Sequence, residues 1–355
     1  MSLALRIKQH FTLLWSVIAC GRVRCACNLK EMKEIKRPDF SPPVWPRIRR
    51  AEEDQDQTPD LMMPSSTLRG VILIMISMVI AAFAGAIMKL LGEQLPAYLV
   101  AWFRFLGMSL LMLPYLIWRF GISGLMPARP WMQLVRGLTM AGATTLFVLG
   151  SRTVDYADAI AILYAYPFLL VIMAVLFLKE RAGWPVWIGV TSGFVGVLLV
   201  IRPEFEEINM GAILIFLCAI VLSIQLTLSR RLGAVSPPLI TAFAGAVCAT
   251  IVLTFFLPSS WQAIPDSAWP YIWLLILTGT VNQVLLVYAF ADSEASTLAP
   301  FTYVEIVAAV TFGYLFFSTL PSFISWIGIG LIAASGIYVA HARQVAIIPR
   351  RSPKI

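Results

Sequence analysis

Charge is the scarcest property of this 355-residue chain: Asp, Glu, Lys and Arg make up 13% of it, against 59% hydrophobic residues. Soluble domains carry about 25% charged and roughly 45–50% apolar residues, so a soluble globular enzyme and a disordered protein are both excluded. Histidine is almost missing, with only His10 and His341. Neither GxSxG nor HExxH nor GxxxxGK[ST] occurs, which removes the usual constellations for covalent chemistry, metal-assisted hydrolysis and ATP-driven work. Asp155 and Asp158 could imitate an acid pair, but they fall at a helix boundary, where capping accounts for them. The chain therefore reads as no enzyme. Five cysteines are equally uninformative: Cys20, Cys25 and Cys27 lack a zinc spacing, and Cys218 and Cys248 lie singly in apolar runs, where packing is the expected role. No disulfide, metal or cofactor is expected.

The formal charge of +8 suggests a nucleic-acid partner until it is located. Residues 1–66 hold 11 basic and 8 acidic side chains, and the other 16 and 11 are spread over the remaining 289 residues. These lie mostly at the ends of apolar segments, where they set membrane orientation. No basic stripe forms, so nucleic acid is excluded as a partner. The first 66 residues stand apart. Phe11–Cys20 is apolar but only ten residues long, too short to span a bilayer. Arg22-Val-Arg24 occupies the place where a signal peptide would be cut. Residues 28–60 are mixed-charge and proline-bearing, which suits a poorly ordered cytoplasmic tail. A start at Met62 or Met63 is the alternative explanation.

From Leu68 onward, apolar runs of about 20 residues, the length that crosses ~30 Å of hydrocarbon, alternate with short polar breaks. Ten are read, at about 68–91, 97–118, 131–151, 158–178, 184–201, 210–229, 236–257, 268–290, 295–317 and 322–341. They must be helices, because lipid satisfies no backbone amide. With the N-terminus inside, inward loops and the C-terminal tail carry Arg119, Arg129, Lys179, Arg181, Arg230, Arg231, Arg343, Arg350, Arg351 and Lys354, against Arg152 and Arg202 outside. This bias predicts a multi-pass inner-membrane protein with both termini in the cytoplasm.

An internal repeat underlies the pattern. Gly70-Val-Ile-Leu-Ile returns as Gly211-Ala-Ile-Leu-Ile at an offset of 141, which also pairs Lys89-Leu-Leu-Gly92 with Arg230-Arg-Leu-Gly233 and Pro96 with Pro237. Further on the offset is 139, pairing Trp187-Ile-Gly189 with Trp326-Ile-Gly328, Tyr164 with Tyr303, and Phe177 with Phe316. Five helices per half is an odd number, so the second half enters from the opposite side. The expected fold is all-α integral membrane, ten transmembrane helices as two inverted five-helix repeats. That symmetry suits a scaffold open to either side in turn.

The stretch Ala157-Asp-Ala-Ile-Ala-Ile-Leu-Tyr-Ala-Tyr-Pro167, then Leu178-Lys-Glu180 and the glycine-rich helix from Gly189 to Gly196, resembles the drug/metabolite transporter superfamily, specifically its EamA-type members. Departures are visible. Tyr166 replaces the family's acid in the first half; Glu305 holds it in the second without the proline, and Ser318-Thr319 stands where half one has Lys179-Glu180. Pro300-Phe-Thr-Tyr-Val-Glu305 and Ser335-Gly336 are similar to the subgroup of S-adenosylmethionine and riboflavin uptake carriers. The resemblance covers about 69–341 and implies EamA repeats at 67–202 and 209–343, followed by a cytoplasmic tail at 344–355. It further implies a central cavity between the halves and secondary transport of a small molecule without ATP. Drug or amino-acid efflux by the same fold, and a non-transporting membrane sensor, are the alternatives.

Ionisable groups inside hydrocarbon are costly and mark cavities or partners. Arg104 and Glu305 lie deep in helices 2 and 9, and a pair between them would serve either role. Lys89 and Arg136 lie near helix ends, where snorkelling to the interface competes with a cavity role. Gln225, Asn282 and Gln283 either glue helices or touch a ligand. Tyr164, Tyr166 and Tyr303 suit a planar heterocycle, with core packing as the alternative. Pro167 and Pro300 should kink helices 4 and 9. Gly189, Gly193 and Gly196, with Gly328, Gly330 and Gly336, are spaced for close helix contact; a homodimer through them stays open.

Overall fold

A computed structural model describes residues 65–127, 129–178, 183–201, 209–233, 236–257, 261–292 and 295–347. The N-terminal tail, the Lys179-Glu180 pair and the loop at 202–208 lie outside the described residues, as does the end of the chain. Regular structure among the described residues is helical throughout. The spans are α1 Ser65–Gln94, α2 Ala97–Phe120, α3 Pro130–Gly150, α5 Trp184–Ile201, α6 Met210–Gly233, α7 Pro238–Thr254, α8 Trp269–Asp292 and α10 Phe323–Ile347. The fourth, α4, is made of Tyr156–Leu163 and Tyr166–Leu178. The ninth, α9, winds through Ala295–Leu298 and a 3-10 turn, Ala299–Tyr303, into Val304–Phe317. Among the described residues nine spans are long and apolar enough to cross a membrane, and α7 is a shorter apolar helix of 17 residues. The chain is a multi-pass membrane protein.

Local chemistry sets the ends and the breaks. Pro130 and Pro238 open α3 and α7, positions where the missing N–H costs nothing. Pro167 interrupts α4 because its ring and absent donor disrupt the bond to the carbonyl four residues back. The chain steps through Tyr164–Ala165, with the Ala165 amide bonded to Ile162 O at 3.0 Å. Pro300 sits in the 3-10 turn that opens α9. Tyr164 and Tyr303 are partners in the repeat, so the fourth and ninth helices change course at equivalent places. Ser318 closes α9 with φ of 54°.

The duplication governs the packing. Helix α1 lies antiparallel along α8, and its twin α6 lies antiparallel along α3. The same exchange relates the α1–α9 contact to α6–α4, and α2–α8 to α7–α3. Two crossings, α2–α7 and α5–α10, join a helix to its own twin. The correspondence reaches single bonds. Ser77 Oγ lies 3.2 Å from Asn282 O, its one hydrogen shared with Asn282 Oδ1 at 2.6 Å, and the thiol of Cys218 donates to Ala143 O at 3.1 Å. Cys218 is Ser77 displaced by 141, and Ala143 is Asn282 displaced by 139. These are two inverted copies of one seam.

Small residues make the closest approaches. Along α5–α10, a Cβ on Gly196 would lie 2.9 Å from Gly328 O, and Ser192 and Ser335 share a 2.9 Å hydrogen bond. Gly189 is pressed against Val339, and Gly193 against the Phe168 ring. The glycines of α5 are thus used within one chain, and of those in α10 only Gly330 faces open space. Exposed aromatics gather at helix ends, with Trp118, Trp131 and Trp184 on one face and Trp261, Trp269 and Phe323 on the other, as a bilayer's two interfaces favour.

Gly196→Val should lower the unfolding temperature of the detergent-purified protein, because overpacking typically costs about 1–3 kcal/mol. Gly330→Val, aimed into open space, should shift it by much less. Equal shifts in the two variants would show that α5–α10 is not a close-packed seam.

Candidate functional site

The repeat interface collects most of the polar side chains singled out in the sequence. At its centre α4 meets α9. The Tyr164 and Tyr303 rings sit 5.2 Å apart, and Tyr166 lies 5.6 Å from Tyr164. Tyr164 is fully buried, and its hydroxyl donates to Glu305 Oε2 at 2.9 Å and lies 2.5 Å from Thr302 O. Glu305 is half-buried. It is the repeat partner of Tyr166, so this carboxylate has no counterpart in the first half. Tyr303 is held by Gly336 of α10, where any side chain would collide with its hydroxyl. Tyr156 reaches across to α1 and donates to Ala82 O.

The two deep arginines occupy related places. Arg136 on α3 is 5% exposed. Its Nε donates to Ser229 Oγ and its Nη1 to Thr241 O, both at 2.8 Å. It fills the space left by Gly245, beside Met140. Arg104 on α2 reaches Met88 Sδ at 3.2 Å, and its Nε would lie 3.6 Å from a Cβ on Gly279. Met88, Arg104 and Gly279 are the repeat partners of Ser229, Gly245 and Met140. The two guanidinium groups therefore touch repeat-partner positions, Met88 and Ser229, although Arg104 itself answers to Gly245 and Arg136 to Leu275.

Several expectations change here. Arg104 and Glu305 do not pair: each has other neighbours, and among the described residues an ion pair joins Arg69 to Asp292 at 3.3 Å near the helix ends. Lys89 does not snorkel. It is 7% exposed, donates to Val154 O at 2.6 Å and lies 5.0 Å over the Phe317 ring, which pins α1 to the α3–α4 loop and α9. Arg136 does not snorkel either, because its acceptors lie on α6 and α7. Asn282 serves as glue, its Oδ1 accepting from Ser77 Oγ at 2.6 Å. Gln225 and Gln283 are half-buried. Asp155 occupies the N-cap of α4 without a side-chain capping bond, while Asp158 accepts from Ser325 Oγ of α10 at 3.2 Å.

Ser77, Ser229 and Thr241 escaped the sequence reading because small hydroxyls are common in membrane helices. Repeat logic marks Ser77, since its partner Cys218 makes the same bond. Gln133, one turn before Arg136, is 1% exposed with neither amide atom hydrogen-bonded. Two surface depressions of about 240 and 490 Å³ are lined by loop and helix-end residues, including Asp155, Asp158 and Asn209 in one and Glu93, Arg152 and Gln262 in the other. None of the deep candidate residues lines either.

Inverted five-helix halves with charged side chains at their junction define a membrane transporter. Residues 68–202 and 209–340 each match the EamA-like transporter family. The chain belongs to the EamA-like transporter family, a group within the drug/metabolite transporters. It is similar to an S-adenosylmethionine uptake transporter of Rickettsia conorii, at 26% identity over 282 residues, covering 79% of this chain and 95% of that protein. It is also similar to a riboflavin transporter of Rhizobium johnstonii, at 27% over 295 residues, covering 81% and 96%. A solved crystal structure shares the fold with a TM-score of 0.55 at 20% identity, over 79% of this chain and 98% of that one. The protein is accordingly a transporter of small molecules and not an enzyme.

Tyr164→Phe should lower the unfolding temperature, since a buried acceptor stripped of its donor costs about 1–3 kcal/mol. In the Glu305→Gln background the same change should cost less. Additive losses in that double-mutant cycle would mean that Tyr164 and Glu305 do not interact.

Proposed function

We propose that the protein is a secondary transporter that carries a small organic metabolite across the inner membrane by alternating access, with its site where the two repeats meet. The observation that carries this reading is the pair of inverted seams, α1–α8 and α3–α6, which match down to individual hydrogen bonds. A scaffold whose halves are interchangeable can open toward either face at similar energy. Both termini are assigned to the cytoplasm by the distribution of Arg and Lys between the loops.

Within the site, Arg104 and Glu305 are the groups assigned to substrate or coupling. Tyr164, Tyr166 and Tyr303 supply aromatic surface for a heterocycle. Lys89, Arg136 and Asn282, which have protein partners, hold the helices in register around it, and Gln225 and Gln283 are assigned to its polar lining. The relatives named for S-adenosylmethionine and riboflavin support a solute that joins a nitrogen heterocycle to a polar tail. Proton exchange is assigned to Glu305. The Tyr164 hydroxyl has one hydrogen for two acceptors, Glu305 and Thr302 O, so a proton arriving on Glu305 has a hydrogen-bonded place to sit.

Reconstituted protein should exchange a labelled metabolite of this class, and Arg104→Met or Glu305→Gln should slow exchange at least ten-fold, ~1.4 kcal/mol, while folded protein is still recovered. A pH gradient should alter uptake by the wild type but not by Glu305→Gln. Unchanged exchange in both variants would remove the site. Accessibility tags near residue 205 and at the C-terminus should report opposite faces; the same face would end the inverted arrangement.

A further inference from the structure

The repeat supplies an internal control for each buried charge. Arg136 and Arg104 each touch one of the repeat partners Ser229 and Met88, and Arg104 also lies 5.7 Å from the Phe105 ring, yet the acceptors offered to the two differ. Around Arg136, Ser229 offers a hydroxyl and Thr241 a carbonyl, both accepting at 2.8 Å. Around Arg104 the equivalent positions are Met88 and Val100. A thioether stands where the hydroxyl was, and Arg104 Nη1 reaches that sulfur at 3.2 Å. A guanidinium presents five N–H donors and no acceptor, and sulfur is a weak acceptor. Among the described residues no carboxylate forms an ion pair with Arg104. Lys89, the next cation along α1, is committed to Val154 O and Phe317. Arg136 is fully packed, whereas Arg104 keeps partial exposure beside α1 and α8.

A charge left this short of acceptors inside a bundle is costly unless an outside group completes it. We infer that Arg104 is the carboxylate-recognition residue of this carrier, so that its substrate is a solute bearing a carboxylate. A carboxylate matches the guanidinium fork in geometry and in its single charge. A phosphate dianion would call for a second cation, which the described neighbours of Arg104 do not offer. This rests on reading the repeat interface as the transport site.

The test is equilibrium binding to detergent-purified protein, free of anionic lipid, using labelled S-adenosylmethionine competed by unlabelled S-adenosylmethionine, its decarboxylated derivative, or riboflavin. In the wild type the decarboxylated compound and riboflavin should each compete at least ten-fold more weakly than the intact compound. In Arg104→Met that gap should shrink to two-fold or less through loss of affinity for the intact compound, and Arg104→Lys should keep part of it. Arg136→Lys should leave the gap unchanged. Equal competition by the intact and decarboxylated compounds in the wild type overturns the inference and needs no variant to fold. So does a gap that survives Arg104→Met. If S-adenosylmethionine does not bind while proteoliposomes exchange another solute lacking a carboxylate, the carboxylate assignment fails and the carrier reading stands. Failure of exchange for every solute tried would remove the carrier reading as well.

Discussion

A backbone in hydrocarbon has no solvent to satisfy its amides, so each crossing must be a helix. Helices surrounded by lipid tails gain little from burying more Leu against Leu. What holds them together is close approach and an occasional hydrogen bond. This constraint explains why Gly196 meets Gly328, why Ser77 and Asn282 face each other, and why Cys218 donates to a carbonyl. Each such bond contributes about 0.6 kcal/mol. The seams therefore resist separation only modestly.

The crossings were legible because twenty-residue apolar runs leave few alternatives, and most of the ten expected spans fall within a few residues of the observed helices. The interruption of α4 could be read from Pro167, whose chemistry is local. The fate of the buried cations was not legible. Lys89 and Arg136 lie near helix ends, and position along a single helix suggests an escape to the interface. What decides otherwise is an acceptor far away in sequence: Val154 O for Lys89, and Ser229 and Thr241 for Arg136. The expected Arg104–Glu305 pair failed for a related reason. Depth in two helices does not fix which faces meet, and Glu305 is turned to Tyr164 on α4. Once the repeat is used as a ruler, Ser77 and its counterpart Cys218 become visible from sequence; without it they are ordinary small residues.

Where the halves differ, they differ in charge. Tyr166 answers to Glu305, Gly245 to Arg104, and Leu275 to Arg136. Duplication supplies the shape of both sides at once, and chemistry enters through substitutions that spoil the match. One guanidinium gained polar acceptors and became a fastener between α3, α6 and α7. The other did not. The carboxylate entered on only one side of the α4–α9 contact, against a tyrosine that both halves share. The repeat thus separates the shape that both halves share from the charges that only one half carries.

The α5–α10 crossing has a consequence for assembly. Gly196, Gly328, Ser192 and Ser335 are spent between the two helices, and the outward surfaces carry bulky residues such as Ile188, Leu198, Trp326 and Ile327 beside the open Gly330. A second chain arriving there would exchange lipid contacts for side-chain contacts of similar worth. Along this crossing one polypeptide supplies both sides of the close contact.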